Sequence, residues 1–286
     1  MAILRDIRRR IVSVRNTRQI TAAMRMVSAA KLNRAQTAVR MARPYAYSLF
    51  QVVTNLSRGL TGEDHPFFRA NRPGGKTVVV AFTSDRGLCG GFNGNLNKAV
   101  LRQIRDGALP DPELICFGRT GNDFFRRRNI PIGRSILYAR PVEKEAAIHE
   151  IIEDLTARYI GGEVGRLYIA YNHYHNPVRQ DPTVHQVIPL PEPPPERRHT
   201  FRIDTIFEPS RADILGVMLG RFLQNQLFQA LLNTEAGEHG ARMAAMEGAT
   251  KNAGKMIDSL TLQYNRARQA NITKELIEIV NGAQSL

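Results

Sequence analysis

At 286 residues the chain exceeds what one ordinary core needs, and its 43% apolar content is that of a soluble protein, so one or two compact units are expected. Its 40 Lys and Arg against 26 Asp and Glu leave a formal charge of +14, which points to an acidic partner: nucleic acid, an anionic membrane surface or an acidic protein. No window approaches the run of about 20 apolar residues that spans a bilayer, and the basic start MAILRDIRRR is followed by no apolar signal-peptide stretch, so neither a membrane-spanning nor an exported chain is expected.

From Ile3 to Ser57 the only proline is Pro44, and apolar residues recur at helical spacing: Leu4, Ile7, Ile11 and Val14, then Ile20, Met24 and Val27, then Tyr45, Leu49, Val52 and Leu56. The spacing predicts one long helix, with Pro44 as the place for a kink. Met1 to Arg43 holds eleven Lys or Arg and one acid, Asp6, so the other faces are basic. A solvated face is the ordinary fate of such a charge run.

Residues 75 to 190 change period. TVVVAF, LICF, SILYA, RLYIAY and TVHQVIPL read as strands, separated by the helical stretches LNKAVLRQI, GNDFFRRRN and EKEAAIHEIIEDLTARY. Alternating strands and helices imply a small doubly wound α/β domain. After the first strand comes TSDRGLCGGFNGN, residues 83 to 95, placed where a phosphate-cradling loop would sit. It lacks the lysine of G-x-x-x-x-G-K-[ST], because Asn95 follows Gly94, and its spacing is not G-x-G-x-x-G; nor does LICFGRT end in an acid for a ribose. A nucleotide site is therefore the weaker reading, and a tight, close-approaching turn the stronger.

His173 and His175 in YNHYHN are spaced to face one side of a strand, and His185 lies on the next, so a three-histidine metal site is one reading. With no carboxylate or cysteine placed to help, solvated edge-strand histidines are the commoner outcome. No Ser-His-Asp set, nucleophile elbow or paired-carboxylate motif stands out, and Glu150, Glu153 and Asp154 in HEIIED fit a solvated helix face. Cys89 and Cys116 have no partner at metal-ligand spacing and suit a reducing compartment.

PLPEPPPERRH has too many prolines for either element and reads as an exposed, stiff linker. Pro209 and Ser210, with Asp213 three residues on as a capping-box-like acid, open a second helix that meets no further proline. From Met243 the positions Met246, Thr250, Ala253, Ile257, Leu260, Tyr264, Ala267, Asn271 and Lys274 follow in 3,4 alternation, the seam of a coiled coil. Running to about Val280, this helix would have roughly 70 residues and a length on the order of 100 Å. Gly216, Gly220, Gly237, Gly240, Gly248 and Gly254 each cost about 1 kcal/mol relative to Ala in a helix interior, and the seam turns polar at Asn271 and Lys274. Part of the helix therefore needs support from another protein. The expected fold is a small doubly wound α/β globular domain, residues 75–200, inserted between two long terminal helices, residues 1–58 and 209–286, that form an antiparallel coiled coil for part of their length.

IRRRIVSVRNTRQITAAMRMVSAAKLNRAQ, TSDRGLCGGFNGN and ARMAAMEGATKNAGKMIDSLTLQYNRARQANITKELIEIVNGAQSL together resemble the gamma subunit of the F-type, proton-translocating ATP synthase, over the full chain and most specifically at its C-terminal end. The resemblance implies a central rotor shaft inside a ring of three alpha and three beta subunits, its globular foot standing on the membrane c-ring with the epsilon subunit. It implies no catalytic residue, no cofactor and no metal, with rotation coupling proton flow to ATP synthesis or hydrolysis elsewhere in the complex. It places the chain peripherally at the cytoplasmic face of the cell membrane, associated with the membrane only through its partners.

By the same resemblance, Arg268 and Gln269 would be polar contacts to a beta-subunit loop near the shaft tip, with Thr273 and Glu275 close by. Met24, Arg25 and Arg242 would lie near the collar where an acidic lever loop meets the shaft, and the loop around Cys89 would be a contact near the same levers. The chain lacks the cysteine-bearing insertion of chloroplast forms, so thiol control is not expected, and HYHNPVRQDPTVHQVIPLPEPPPERRH is richer in Pro and His than the family pattern. The alternative is a basic nucleic-acid-binding helical protein. It would need aromatic or base-reading side chains among its basic residues, yet no Phe, Tyr or Trp occurs from Met1 to Arg43. An α/β nucleotide enzyme fails on the missing lysine.

Overall fold

The computed structural model of the chain describes residues 2–57, 75–190 and 211–284. Helix α1 spans Ala2–Ser57, continuous through Pro44, and helix α5 spans Arg211–Gln284. Between them lie β1 (Lys76–Phe82), α2 (Phe92–Arg105), β2 (Pro112–Phe117), α3 (Arg119–Arg126), β3 (Ile132–Ile136), α4 (Pro141–Ile160), β4 (Val164–Tyr174) and β5 (Gln180–Ile188). The expected cap at Pro209 and Ser210 and most of the proline-rich linker fall outside the described residues.

The five strands form one mixed sheet in the order β3-β2-β1-β4-β5. The first four are parallel, and β5 returns antiparallel along β4, pairing Tyr168 with Gln186 and His173 with Asp181. Strand β1 is apolar from Val78 to Phe82 because that stretch is covered on both faces, as a central parallel strand must be. Successive side chains alternate sides: Val78, Val80 and Phe82 enter one core and Val79 and Ala81 the other. The first core holds Ile148, Ile151 and Leu155 of α4, Leu49 and Val53 of α1, and Leu215, Leu219 and Leu223 of α5; the second holds Leu96 and Val100 of α2 and Phe125 of α3. Each large apolar side chain enclosed in this way contributes about 1.5–3 kcal/mol.

Strand β3 lies three residues upstream of the expected SILYA. The cause is Tyr138, which adopts φ +54 and donates its backbone N–H to Asp85 Oδ1 at 3.0 Å, so the chain has left the sheet before it. Strand β5 starts earlier than expected and admits Pro182, which an edge strand tolerates because one row of its backbone groups is unpaired.

The chain forms two compact units, Lys31–Ala241 and Met1–Ala30 with Arg242–Leu286, so the unit boundaries fall inside the two long helices. In the second unit the α5 seam follows the expected spacing: Met246, Thr250, Ala253, Ile257, Leu260, Tyr264, Ala267 and Asn271 are the more enclosed positions, and only Lys274 is exposed. On α1, Leu4, Ile7, Ile11 and Val14 are likewise half-buried, but Ile20 and Val27 are 60% and 57% exposed, and Tyr45 and Val52 also face solvent. Their places inside are taken by Thr21 and Ser28 in the second unit and by Val39 and Val53 in the first, while Leu49 and Leu56 are buried as expected. Hydroxyls can be buried there because each is satisfied: Thr21 and Thr250 share a hydrogen bond of 2.8 Å, and Ser28 donates to the Met24 carbonyl at 2.8 Å.

The helix glycines divide into two kinds. A Cβ on Gly240 would stand 3.0 Å from Pro177 Cα, and one on Gly237 would stand 2.7 Å from the Phe92 ring. A Cβ on Gly254 would meet nothing within 4 Å. Gly254→Ala should therefore raise chain stability by about 0.5–1 kcal/mol through helix propensity and a less free unfolded state. Gly240→Ala should lower it. Thermal unfolding followed at 222 nm checks both, and shifts of the same sign would contradict this division.

Candidate subunit-contact sites

The glycine-rich loop joins β1 to α2. Asn93, 5% exposed, fills its concave side: its Oδ1 accepts from the Ser84 N–H at 2.9 Å, and its Nδ2 donates to Ser84 Oγ at 2.7 Å and to Cys89 Sγ at 3.3 Å. Ser84 Oγ in turn donates to the Arg86 carbonyl at 2.7 Å. Gly90 takes φ +59, a conformation that suits glycine, and Leu88 takes φ +64 at 63% exposure. Asn93 and Ser84 thus satisfy one another, and the loop turns Leu88 outward. Cys89, 2% exposed, lies beneath, so the surface offered here is that of Leu88 and its neighbours. Sequence reading named Cys89 and missed Leu88, because only the backbone dihedrals reveal which of the two points out.

A loop whose Ser84 N–H is already taken by Asn93, with no lysine beside it, predicts that the chain does not bind nucleotide at residues 83–95. Equilibrium dialysis with labelled ATP should give no saturable binding. Micromolar binding that disappears in Gly90→Val would overturn this.

The histidines do not assemble a metal site. His173 and His185 each pack edge-on to the Tyr171 ring, at 6.2 and 5.8 Å between centroids, and His173 meets His175 at 4.7 Å. His175 Nε2 is directed to Asp181 at 3.0 Å. Burial first, then His175 and Arg43, hold the His173 imidazole below its usual value, while Asp181 opposes them; burial lowers His185 as well. Among the described residues no group of three His, Cys, Asp or Glu is placed to hold a metal ion. The rings stack in preference to converging.

The remaining expected contacts belong to the unit made of the chain's two ends. Met24 is half-buried and Arg25 exposed on α1. Across from them, the Glu247 carboxyl is held below the usual range, first by the Lys251 ammonium at 3.0 Å and then by the field of Arg25. Arg242, 9% exposed, is largely enclosed by the chain itself. Arg268, Gln269 and Thr273 are exposed near the C-terminal end of α5, and Glu275 lies on the same helix. Arg25 is thus brought to Glu247, whereas Arg268, Gln269 and Thr273 stand apart along the helix. The pair Thr21 and Thr250 escaped sequence reading, since a hydroxyl in an apolar seam carries no periodic signal. None of the described helices is long and apolar enough to cross a membrane.

A protein-family model described as ATP synthase matches residues 3–286. The chain is 45% identical to the ATP synthase gamma chain of Anaeromyxobacter sp. (strain Fw109-5) over 291 residues, and 43% identical to that of Pelotomaculum thermopropionicum over 286 residues, covering 100% of both chains in each case. Among solved structures it resembles a chain of the Euglena gracilis mitochondrial ATP synthase OSCP/F1/c-ring assembly, with TM-score 0.67, 17% identity and coverage of 99% of this chain and 94% of that one. It also resembles a chain of the central stalk and c-ring of the Tetrahymena thermophila mitochondrial ATP synthase, with TM-score 0.60, 22% identity and coverage of 80% and 99%.

Proposed function

Because the chain belongs to the family of ATP synthase gamma chains, we propose that its work is mechanical and that the covalent chemistry lies in its partners. It is the central rotor shaft of an ATP synthase and couples rotation of the membrane proton ring to ATP synthesis or hydrolysis in the catalytic ring. It is a non-catalytic subunit. Residues 1–58 and 209–286 form an antiparallel coiled coil, and residues 75–200 form the foot, which stands with the epsilon subunit on the c-ring at the cytoplasmic face of the membrane.

The observation that carries this reading is the α5 seam. Thr21 pairs with Thr250 and Arg25 acts on Glu247, so rising numbers on α1 meet falling numbers on α5. Continued to the start of α1, that pairing ends at about residue 270 of a coiled-coil seam. Helix α5 runs on to Gln284, with Ile272, Leu276, Ile277 and Val280 exposed. An isolated helical end of this kind is marginal in water, and a surrounding sleeve of protein would stabilise it.

Inside a threefold ring of alpha and beta subunits, one asymmetric rod presents a different face to each beta subunit. Differential contacts then bias each subunit toward a different state, and turning the rod exchanges those states in sequence. Arg268, Gln269, Thr273 and Glu275 contact the ring near the tip, and Met24, Arg25 and Arg242 contact the acidic lever near the collar, with the loop around Cys89 close to it. Tagged chain recovered from detergent-solubilised native membranes should bring alpha and beta subunits at three, three and one. Recovery of the chain alone, or with nucleic acid, would overturn the assignment.

A further inference from the structure

Within the unit Lys31–Ala241, a cavity of about 520 Å³ opens between α1, α4 and α5. Its lining combines Tyr45 and Phe228, the apolar side of Ile148, the cation Arg221, the carboxylate Glu145 and the amide of Asn225. Asn225 is 7% exposed, and its side chain has no hydrogen-bond partner among the described residues. Asn225 lines the cavity and its amide keeps contact with that space, so a ligand there can exchange hydrogen bonds with it in place of water. Arg221 likewise makes no ion pair among the described residues, although Glu145 shares its cavity.

We propose that this cavity is a binding site for a planar aromatic monocarboxylate bearing a hydroxyl group. A volume of this size suits a small organic ligand, and two aromatic side chains with an aliphatic one offer faces for a flat ring system. Arg221 supplies a planar, permanently charged fork for a carboxylate, and Asn225 offers both a donor and an acceptor to the ligand's polar edge. Glu145 selects against a second negative charge and accepts from a hydroxyl. None of its lining residues belongs to loop 83–91, and the site is independent of the rotor reading.

The test is isothermal titration calorimetry of the full chain with 6-hydroxy-2-naphthoate, and with 2-naphthol as a probe that keeps the rings and lacks the carboxylate. Binding of the naphthoate should saturate at one site per chain, and Arg221→Gln should weaken it about tenfold, the scale of one charge-assisted hydrogen bond. Asn225→Leu should weaken it as well, and 2-naphthol should bind far less tightly. Arg221 is exposed, so its replacement leaves the fold intact and decides the matter even where Asn225→Leu fails to fold. No saturable binding, equal binding of 2-naphthol, or undiminished binding in Arg221→Gln would each overturn the proposal.

Discussion

Gly118→Ala should destabilise the chain by about 4 kcal/mol, combining a backbone conformation that L-residues rarely hold with overpacking of a rigid junction. Gly118 sits between β2 and α3 at φ +91 and ψ 142. A Cβ there would stand 2.2 Å from the Thr83 carbonyl oxygen and 2.7 Å from its carbon. Neither partner can yield. The Thr83 N–H donates to the Phe117 carbonyl at 2.8 Å, the Gly118 N–H donates to Ile136 at 2.9 Å, and Thr83 Oγ1 accepts from the Gly121 N–H at 3.0 Å. At 2–4 °C per kcal/mol for a chain of this class, the midpoint of thermal unfolding should fall by about 10 °C. Gly94→Ala is the control, because its Cβ would meet nothing within 4 Å on the first turn of α2. Equal midpoints for the two variants would mean that the junction relaxes more readily than its hydrogen bonds allow.

That junction also explains how much of the molecule sequence reading could reach. The apolar β1 run and the helical stretches after it are governed by local period, and α2, α3 and α4 contain the stretches read as helical, within a few residues at each end. The α5 seam was legible for the same reason, since eight of its positions keep one spacing without interruption. Strand β3 was misplaced because Asp85, more than forty residues upstream, captures the Tyr138 N–H and draws the chain off the sheet. The α1 face was misread at Ile20 and Val27 because an apolar count cannot see that Thr21 finds its partner at Thr250. Tertiary pairing had overridden a local pattern.

The candidate sites follow the same rule. The glycine loop could be stripped of a phosphate role by its missing lysine, yet the filling of its concave side by Asn93 depends on Ser84 and Cys89 folding back around it. The cavity beside Asn225 was invisible to spacing, because its walls come from three helices widely separated along the chain.

Fixing the loop around Leu88 to a ring subunit should stop ATP hydrolysis in direct proportion to the fraction fixed. Leu88 is 63% exposed, whereas Cys89 is buried beneath it and burial pushes the Cys116 thiol up to about 12. Only thiolate reacts readily, so a maleimide carrying a photoreactive benzophenone will label Leu88→Cys and spare both native thiols. Illumination of the assembled complex in membrane vesicles then joins the loop to whatever it faces. A covalent bond between shaft and ring holds one angular state, and no differential affinity for nucleotide can drive the exchange that each catalytic cycle requires. An oxidised Thr21→Cys, Thr250→Cys pair is the contrasting case. It joins two helices whose hydroxyls already touch at 2.8 Å and which turn together, so hydrolysis should persist. Hydrolysis that survives complete Leu88 cross-linking to an alpha or beta subunit would show that the chain does not turn against the ring. Cross-linking to a partner that rotates with the shaft, with hydrolysis intact, would move the loop away from the ring.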